Sequence, residues 1–357
     1  MTAADPAEVL VAREGRVGRL TLNRPKALHA LTQAMCQTMT DALLAWRDDP
    51  AVDLVILDHA GPRGFCAGGD IRKLAQSGLG DGAEARSFFA TEYRLNHLLF
   101  AYPKPTIAVM DGLVMGGGAG LTLPCRHRIA TENTVFAMPE TGIGLFPDVG
   151  GGWYLPRLPG QAGLWLGLTG ARLKAADGLR LGLATAYVDS ARLEVLKAAL
   201  LAQPAAVEAV LGDFASDPGP APFDAQAEPV DRLFAGDSLE AILAALATDE
   251  SDWAKATLDI LAAKSPQALK VTFRQLALGA QARDFAAHMA MEFRVGARLV
   301  HRHDFLQGVR AVIIAKDNDP RWFPSDVAAI SEDILDQIFA PLPADQEWTP
   351  LGVGASS

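Results

Sequence analysis

The chain has 357 residues, half of them hydrophobic and about a fifth charged, with a formal net charge of −10. A chain of this length buries a large core, and its acidic balance argues against nucleic acid, whose phosphates demand a basic face. The three cysteines, Cys36, Cys66 and Cys125, are an odd number set in apolar or glycine-rich segments, which is no disulfide framework and points to a reducing compartment.

The N-terminal MTAADPAEVL carries neither a basic n-region nor an apolar h-region, and it is not Arg-rich. Cytoplasm is therefore the expected location. Residues 9–11 and 17–22 alternate apolar and polar around Glu14-Gly15-Arg16, the pattern of a β-hairpin. From Thr32, a candidate N-cap, Met35, Met39 and Leu43 recur at helical spacing towards Trp46. The apolar run 53–58 predicts a buried strand, and it leads into a first glycine turn, GFCAGGDIRK, at 64–73. Phe88, Phe89, Leu95, Leu98 and Leu99 predict a helix over 83–100, ended by Tyr102-Pro103.

A strand at 106–110 opens the central stretch. It runs into Gly116, Gly117 and Gly118 and then an apolar helix, and Asp111 and the glycines break the apolar tract 107–124 enough to make it a poor membrane span. A strand at 128–130, the carboxylates Glu140 and Asp148, short helices at 160–169 and 175–183 and a last strand at 186–189 follow. Alternation of strand, turn and helix predicts a layered α/β core with ligands at the carboxyl ends of its strands. From residue 191 the pattern is helical, with candidates at 239–246, 253–263, 265–278 and 283–300. A Pro/Ala/Asp-rich linker at 213–229 is expected to hold no regular structure. The expected organisation is a catalytic core over 1–190 and a C-terminal helical region over 191–357.

The glycine run stands where a strand hands over to a helix, so its peptide N–H groups lack intrahelical acceptors and suit developing negative charge, such as that on an acyl oxygen. Close helix–strand packing explains glycines equally well, but a second turn at Gly68-Gly69 offers a second donor. Glu140 and Asp148 each follow a proline in an apolar stretch, where desolvation raises a carboxyl pKa and makes it a usable base or nucleophile. His301 and His303 stand two apart, face different ways on a helix and have no acid cluster with them, so no metal site is expected. Cys66, with no histidine near it in sequence, reads as packing rather than as a nucleophile.

NRPKALHAL at 23–31, FCAGGDI at 65–71 and AMPETGIGLFPDVGGGWYLPRL at 137–158 resemble the crotonase (enoyl-CoA hydratase/isomerase) superfamily, and the last stretch resembles its 3-hydroxyisobutyryl-CoA hydrolases most. The resemblance implies a ββα-superhelix core. It also implies hydrolysis of a short branched 3-hydroxyacyl-CoA, as in valine catabolism, with coenzyme A entering only as part of the substrate and no separate cofactor.

By that resemblance Glu140 attacks the thioester carbonyl or activates water for it, and Asp148 is its partner. Gly69 and Gly117 supply the oxyanion donors, Glu92 contacts the substrate, and Lys26, Ala67, Asp70 and Ile71 hold CoA. In hydratases the glycine run is followed by a glutamate where this chain has Gly120, so hydrolysis is favoured over the alternative of a hydratase or isomerase. A non-catalytic acyl-CoA-binding protein is a third reading, opposed by the intact Glu140 and Asp148. An acyl-CoA is the expected partner, a membrane is not, and a homo-oligomer is compatible with everything above.

Overall fold

A computed structural model describes residues 7–62 and 64–352. Packing divides them into two units, each drawn from separated stretches of chain: one from the stretch up to Gly69, Arg94–Phe136 and Leu173–Pro222, the other from Asp70–Tyr93, Ala137–Arg172 and the stretch from Phe223 onward.

In the first unit, β1 (Val9–Glu14) and β2 (Val17–Leu22) form the expected hairpin, paired antiparallel from Val9 opposite Leu22 to Glu14 opposite Val17. β1 is the sheet edge, and its Leu10 and Val11 are exposed accordingly. β3 (Leu54–His59) adds in parallel to β2, starting one residue later than the apolar run suggested. β4 (Thr106–Met110) follows β3. β5 (Leu113–Met115) and β7 (Val135–Ala137) make a separate two-stranded sheet. β6 (His127–Ala130) and a short β8 (Ala186–Tyr187) complete the main sheet in the order β1-β2-β3-β4-β6-β8.

Strands buried on both faces read as continuous Val/Ile/Leu runs rather than alternating ones, and β3 and β4 do so. One face packs Leu54, Ile56, Ile107, Val109 and Ile129 against Leu193, Leu196 and Leu200 of the helix Leu193–Ala202 and against Val207, Val210 and Leu211 of Val207–Phe214. The helix Gln33–Arg47 starts where Thr32 Oγ1 accepts from the Met35 N–H at 3.2 Å, as its spacing predicted.

The second unit is helical. Ser238, Ser251, Ser265, Asp284 and Ser331 each accept a first-turn N–H, which sets the starts of Leu239–Thr248, Asp252–Ala262, Pro266–Gln281, Phe285–Leu299 and Glu332–Phe339. The expected irregular linker is shorter than its composition suggests. Within 213–229 lie a 3₁₀ turn at Pro222–Ala225 and the start of the helix Ala227–Leu233. Phe223, 3% exposed, stacks on Trp165 at 5.7 Å and anchors the turn, and Pro229 falls in a first helical turn, where its missing N–H costs nothing.

Candidate active site

The two glycine turns meet inside the first unit. The Cys66 N–H donates to Leu113 O at 2.8 Å and the Met115 N–H donates to Cys66 O at 3.0 Å, so the first turn runs beside β5. On its other side the Ala67 N–H donates to Leu28 O and the Leu31 N–H to Gly68 O, which bridges Leu31 to Gly69. Gly118 has to be glycine, because a Cβ there would lie 2.5 Å from Cys66 O. Gly68 has φ +109 and stands with its Cβ position 3.7 Å from the Gly117 N. Gly117 opens the short helix Gly117–Thr122, where a first-turn N–H has no intrahelical partner. Ala67, Gly69 and Gly117 are thus brought into one neighbourhood. Lys26 is exposed on the adjoining 3₁₀ turn Pro25–Ala27. Gly120 is buried, its carbonyl accepting from Asn96 Nδ2 at 3.0 Å. Cys66 is fully buried with Sγ directed at His29 O, 3.3 Å away, a packing position.

In the second unit Asp70 precedes the helix Ile71–Gly78, whose first residue is Ile71. Glu92, Glu140 and Asp148 are gathered, with exposures of 2%, 5% and 6%. Glu92 projects from the helix Ala83–Phe100, and Glu140 begins a 3₁₀ turn, Glu140–Ile143. That turn is stapled on two sides: Thr141 Oγ1 donates to Leu168 O at 3.0 Å, and the Ser265 N–H donates to Thr141 O at 3.1 Å. Asp148 Oδ2 accepts from Tyr93 Oη at 2.8 Å.

Burial pushes the Glu92 carboxyl well above the ordinary range, and charge on Asp148 adds to the effect. Glu140 is raised well above its usual value by burial and by Asp148, with Lys264 opposing. Asp148 is pushed up to about 7 by burial and by Glu292, against the Tyr93 hydrogen bond. Among the described residues, Glu92 Oε1 and Glu140 Oε2 have no hydrogen-bond partner. Buried carboxyl oxygens left open in this way are suited to a ligand's donors.

Four residues of this cluster escaped the sequence reading: Tyr93, Gln275, His288 and Glu292. Glu292 did leave a signal, since it interrupts the buried stripe of Met289, Phe293 and Gly296 on the helix Phe285–Leu299, and a lone carboxylate on an apolar face needs a partner. His301 Nδ1 and His303 Nε2 instead bond to Gly78 O and Arg321 O. Among the described residues no group of three or more His, Cys, Asp or Glu is arranged to hold a metal, and no helix is long and apolar enough to cross a membrane.

A family profile described as enoyl-CoA hydratase/isomerase matches residues 17–339. The chain belongs to the enoyl-CoA hydratase/isomerase family. This family member is 44% identical over 351 residues to the mitochondrial 3-hydroxyisobutyryl-CoA hydrolase of Danio rerio, covering 96% of this chain and 92% of that protein. It is 40% identical over 344 residues to that of Homo sapiens, covering 94% and 89%. Both names include a mitochondrial location, so they do not support the cytoplasmic one expected from the sequence.

The crotonase-like fold expected from the motifs is the fold observed. A crystal structure described as a carnitinyl-CoA dehydratase from Mycobacterium thermoresistibile matches with a TM-score of 0.92 at 40% identity, over 96% of this chain and 99% of that one. An enoyl-CoA hydratase structure from Rhodobacter sphaeroides matches with a TM-score of 0.87 at 42% identity, over 96% and 100%.

Proposed function

We propose that the chain hydrolyses 3-hydroxyisobutyryl-CoA to the free acid and CoA, a step of the kind valine catabolism requires. The observation that carries this reading is the trio of buried carboxyls, Glu92, Glu140 and Asp148, in a chain that has glycine at position 120. The relatives named 3-hydroxyisobutyryl-CoA hydrolase support it over nearly the whole length.

In this reading the N–H groups of Gly69 and Gly117 receive the carbonyl oxygen as it becomes an oxyanion; losing one such donor typically costs about 3 kcal/mol of transition-state stabilisation. Glu140, as the carboxylate, attacks the carbonyl carbon, or takes a proton from the water that does and afterwards passes it to Asp148. As the carbon–sulfur bond breaks, the thiolate leaves with the proton of Asp148, a carboxyl that burial and Glu292 keep partly protonated near neutral pH. In the covalent route water then opens the acyl–Glu140 anhydride, the acid departs and the water's proton returns to Asp148. Glu92, whose burial raises its proton affinity, meets the substrate's 3-hydroxyl. Lys26, Ala67, Asp70 and Ile71 hold CoA, and the steps call for no separate cofactor. A cytoplasmic location stays within the proposal, supported by three buried cysteines that a reducing compartment preserves.

A second reading, hydration of an enoyl-CoA, is favoured by the matching structures described as a hydratase and a dehydratase. Thiol release measured across a panel of acyl-CoAs, beside the loss of double-bond absorbance from crotonyl-CoA, separates the two. The expected outcome is fastest thiol release from 3-hydroxyisobutyryl-CoA, little crotonyl-CoA hydration, and a loss of at least about tenfold in kcat for Glu140→Gln. Brisk hydration of crotonyl-CoA by the wild type overturns the hydrolase reading and promotes the second.

A further inference from the structure

Glu292 is fully buried, and both its oxygens are engaged with one short stretch of backbone. Oε2 accepts from the Gly150 N–H at 2.8 Å and Oε1 from the Gly152 N–H at 3.0 Å. Oε1 also receives Gln275 Nε2 at 2.9 Å and lies 3.0 Å from His288 Nε2, one turn back on the same helix. Gln275 Nε2 donates in addition to Pro147 O at 2.7 Å. Pro147, Gly150 and Gly152 are therefore tied to a single buried centre, and Asp148 and Val149 are the two residues caught inside the first span.

Val149 pays the conformational cost of that arrangement. It is buried with φ +53, and a β-branched side chain in the left-handed region is a strained rarity that persists only where its surroundings over-determine it. The network also reaches the backbone only because position 152 has no side chain: a Cβ there would lie 2.6 Å from Gln275 Nε2 and 2.7 Å from His288 Nε2.

We propose that Glu292, backed by His288 and Gln275, is the positioning residue of the reaction: it clasps the 147–152 turn in the one backbone form that delivers the Asp148 carboxyl to Tyr93 and to the Glu140 side of the cluster. The proposal rests on the hydrolase reading of Asp148. Beyond geometry, the Glu292 charge, after burial, holds up the proton affinity of Asp148. The groups facing Asp148 are Glu92 and Tyr93 from the helix Ala83–Phe100, Glu140 with Lys264 beside it, and Glu292 with His288 from the helix Phe285–Leu299. Losing the Glu292 charge moves the Asp148 titration towards acid.

The test is Glu292→Gln in the full-length enzyme, assayed by thiol release from 3-hydroxyisobutyryl-CoA across pH. The carboxamide keeps one acceptor and turns its NH2 towards a glycine N–H, so kcat is expected to fall at least about tenfold with KM within about threefold, and the alkaline limb of kcat to move to lower pH. Val149→Gly in both backgrounds reads the clasp itself. Glycine adopts φ +53 without being held, so the expected kcat loss from Glu292→Gln is at least about threefold smaller in the Val149→Gly background, a coupling a merely structural role would not produce.

Gln275→Leu, folded by circular dichroism, guards against a Glu292→Gln that does not fold, and it is expected to lower kcat at least about threefold without raising KM in proportion. Wild-type kcat and pH profile in folded Glu292→Gln or in folded Gln275→Leu overturn the proposal, as does strict additivity with Val149→Gly. Asp148→Asn is run beside them: its inactivity with an unaffected Glu292→Gln sinks the positioning role alone, whereas wild-type turnover by Asp148→Asn sinks the hydrolase reading and this role with it.

Discussion

At the scale of single residues, the buried carboxyls on which the proposed reaction rests also weaken the fold. Glu92, Glu140 and Asp148 hold protons more tightly in the folded chain than in the unfolded one. The native state then binds more protons than the unfolded state between the ordinary carboxylate range and the raised folded values, so stability declines as pH rises through that window. For Asp148 the window runs from about 4 to about 7. Asp148→Asn keeps an acceptor for Tyr93 Oη and removes the charge, so it is expected to melt higher than wild type at pH 8, by about 2 °C or more, with the gap closing towards pH 4. Thermal unfolding of both proteins at the two pH values checks this, and an equal or lower melting point at pH 8 would mean that burial is not what loads this carboxyl. The opposite case is Asp58, where burial pushes the carboxyl up but Lys197, Arg19 and Thr21 together bring it below the usual range. There the charge is matched, and it stabilises.

At the scale of elements, the first glycine turn and the helix Gly117–Thr122 pack backbone against backbone, with no side chain able to yield. Gly118→Ala places a methyl 2.5 Å from the Cys66 carbonyl oxygen, so the turn has to move. The expected cost is about 1–3 kcal/mol, typical of overpacking in a rigid setting, read as a lower urea midpoint. Because the same shift displaces the Gly69 and Gly117 N–H groups, thiol release should drop as well. An unchanged midpoint would mean that the two turns do not pack this closely. The start of the helix Gln33–Arg47 was legible because capping is local and Thr32 sits next to the N–H it receives, whereas the caps Ser238, Ser251 and Ser265 came to light only in the structure. The helix at Ala227–Leu233 was hidden by prolines whose effect depends on whether they fall in a first turn or an interior one.

At the scale of the whole molecule, sequence order and packing order differ. The helices Leu193–Ala202 and Val207–Phe214 lie beyond residue 190, yet they cover the face of the main sheet that carries Leu54, Ile107 and Ile129. A fragment ending at residue 190 would leave that face open to water, and burial of several such side chains at about 1.5–3 kcal/mol each exceeds the marginal stability of a typical domain. The expected outcome is that 1–190 alone gives neither a cooperative melt nor thiol release. A cooperatively melting fragment would show that the sheet does not need these helices.

The sequence by itself determined the family, the glycine turns and most helices, and it singled out Glu140 and Asp148 by their prolines and Glu92 by resemblance, because motifs, 3.6-residue periodicity and caps are all properties of neighbouring residues. Only the tertiary structure decided how those parts are held. Glu292 meets Gly150 across 142 positions of chain, Tyr93 meets Asp148 across 55, and Val149 adopts a backbone form that no local preference of valine favours. Partners so far apart are selected by the closure of the whole chain around a buried charge. That charge has to find donors wherever the fold brings them, and nothing in the residues adjoining Glu292 says which donors those will be.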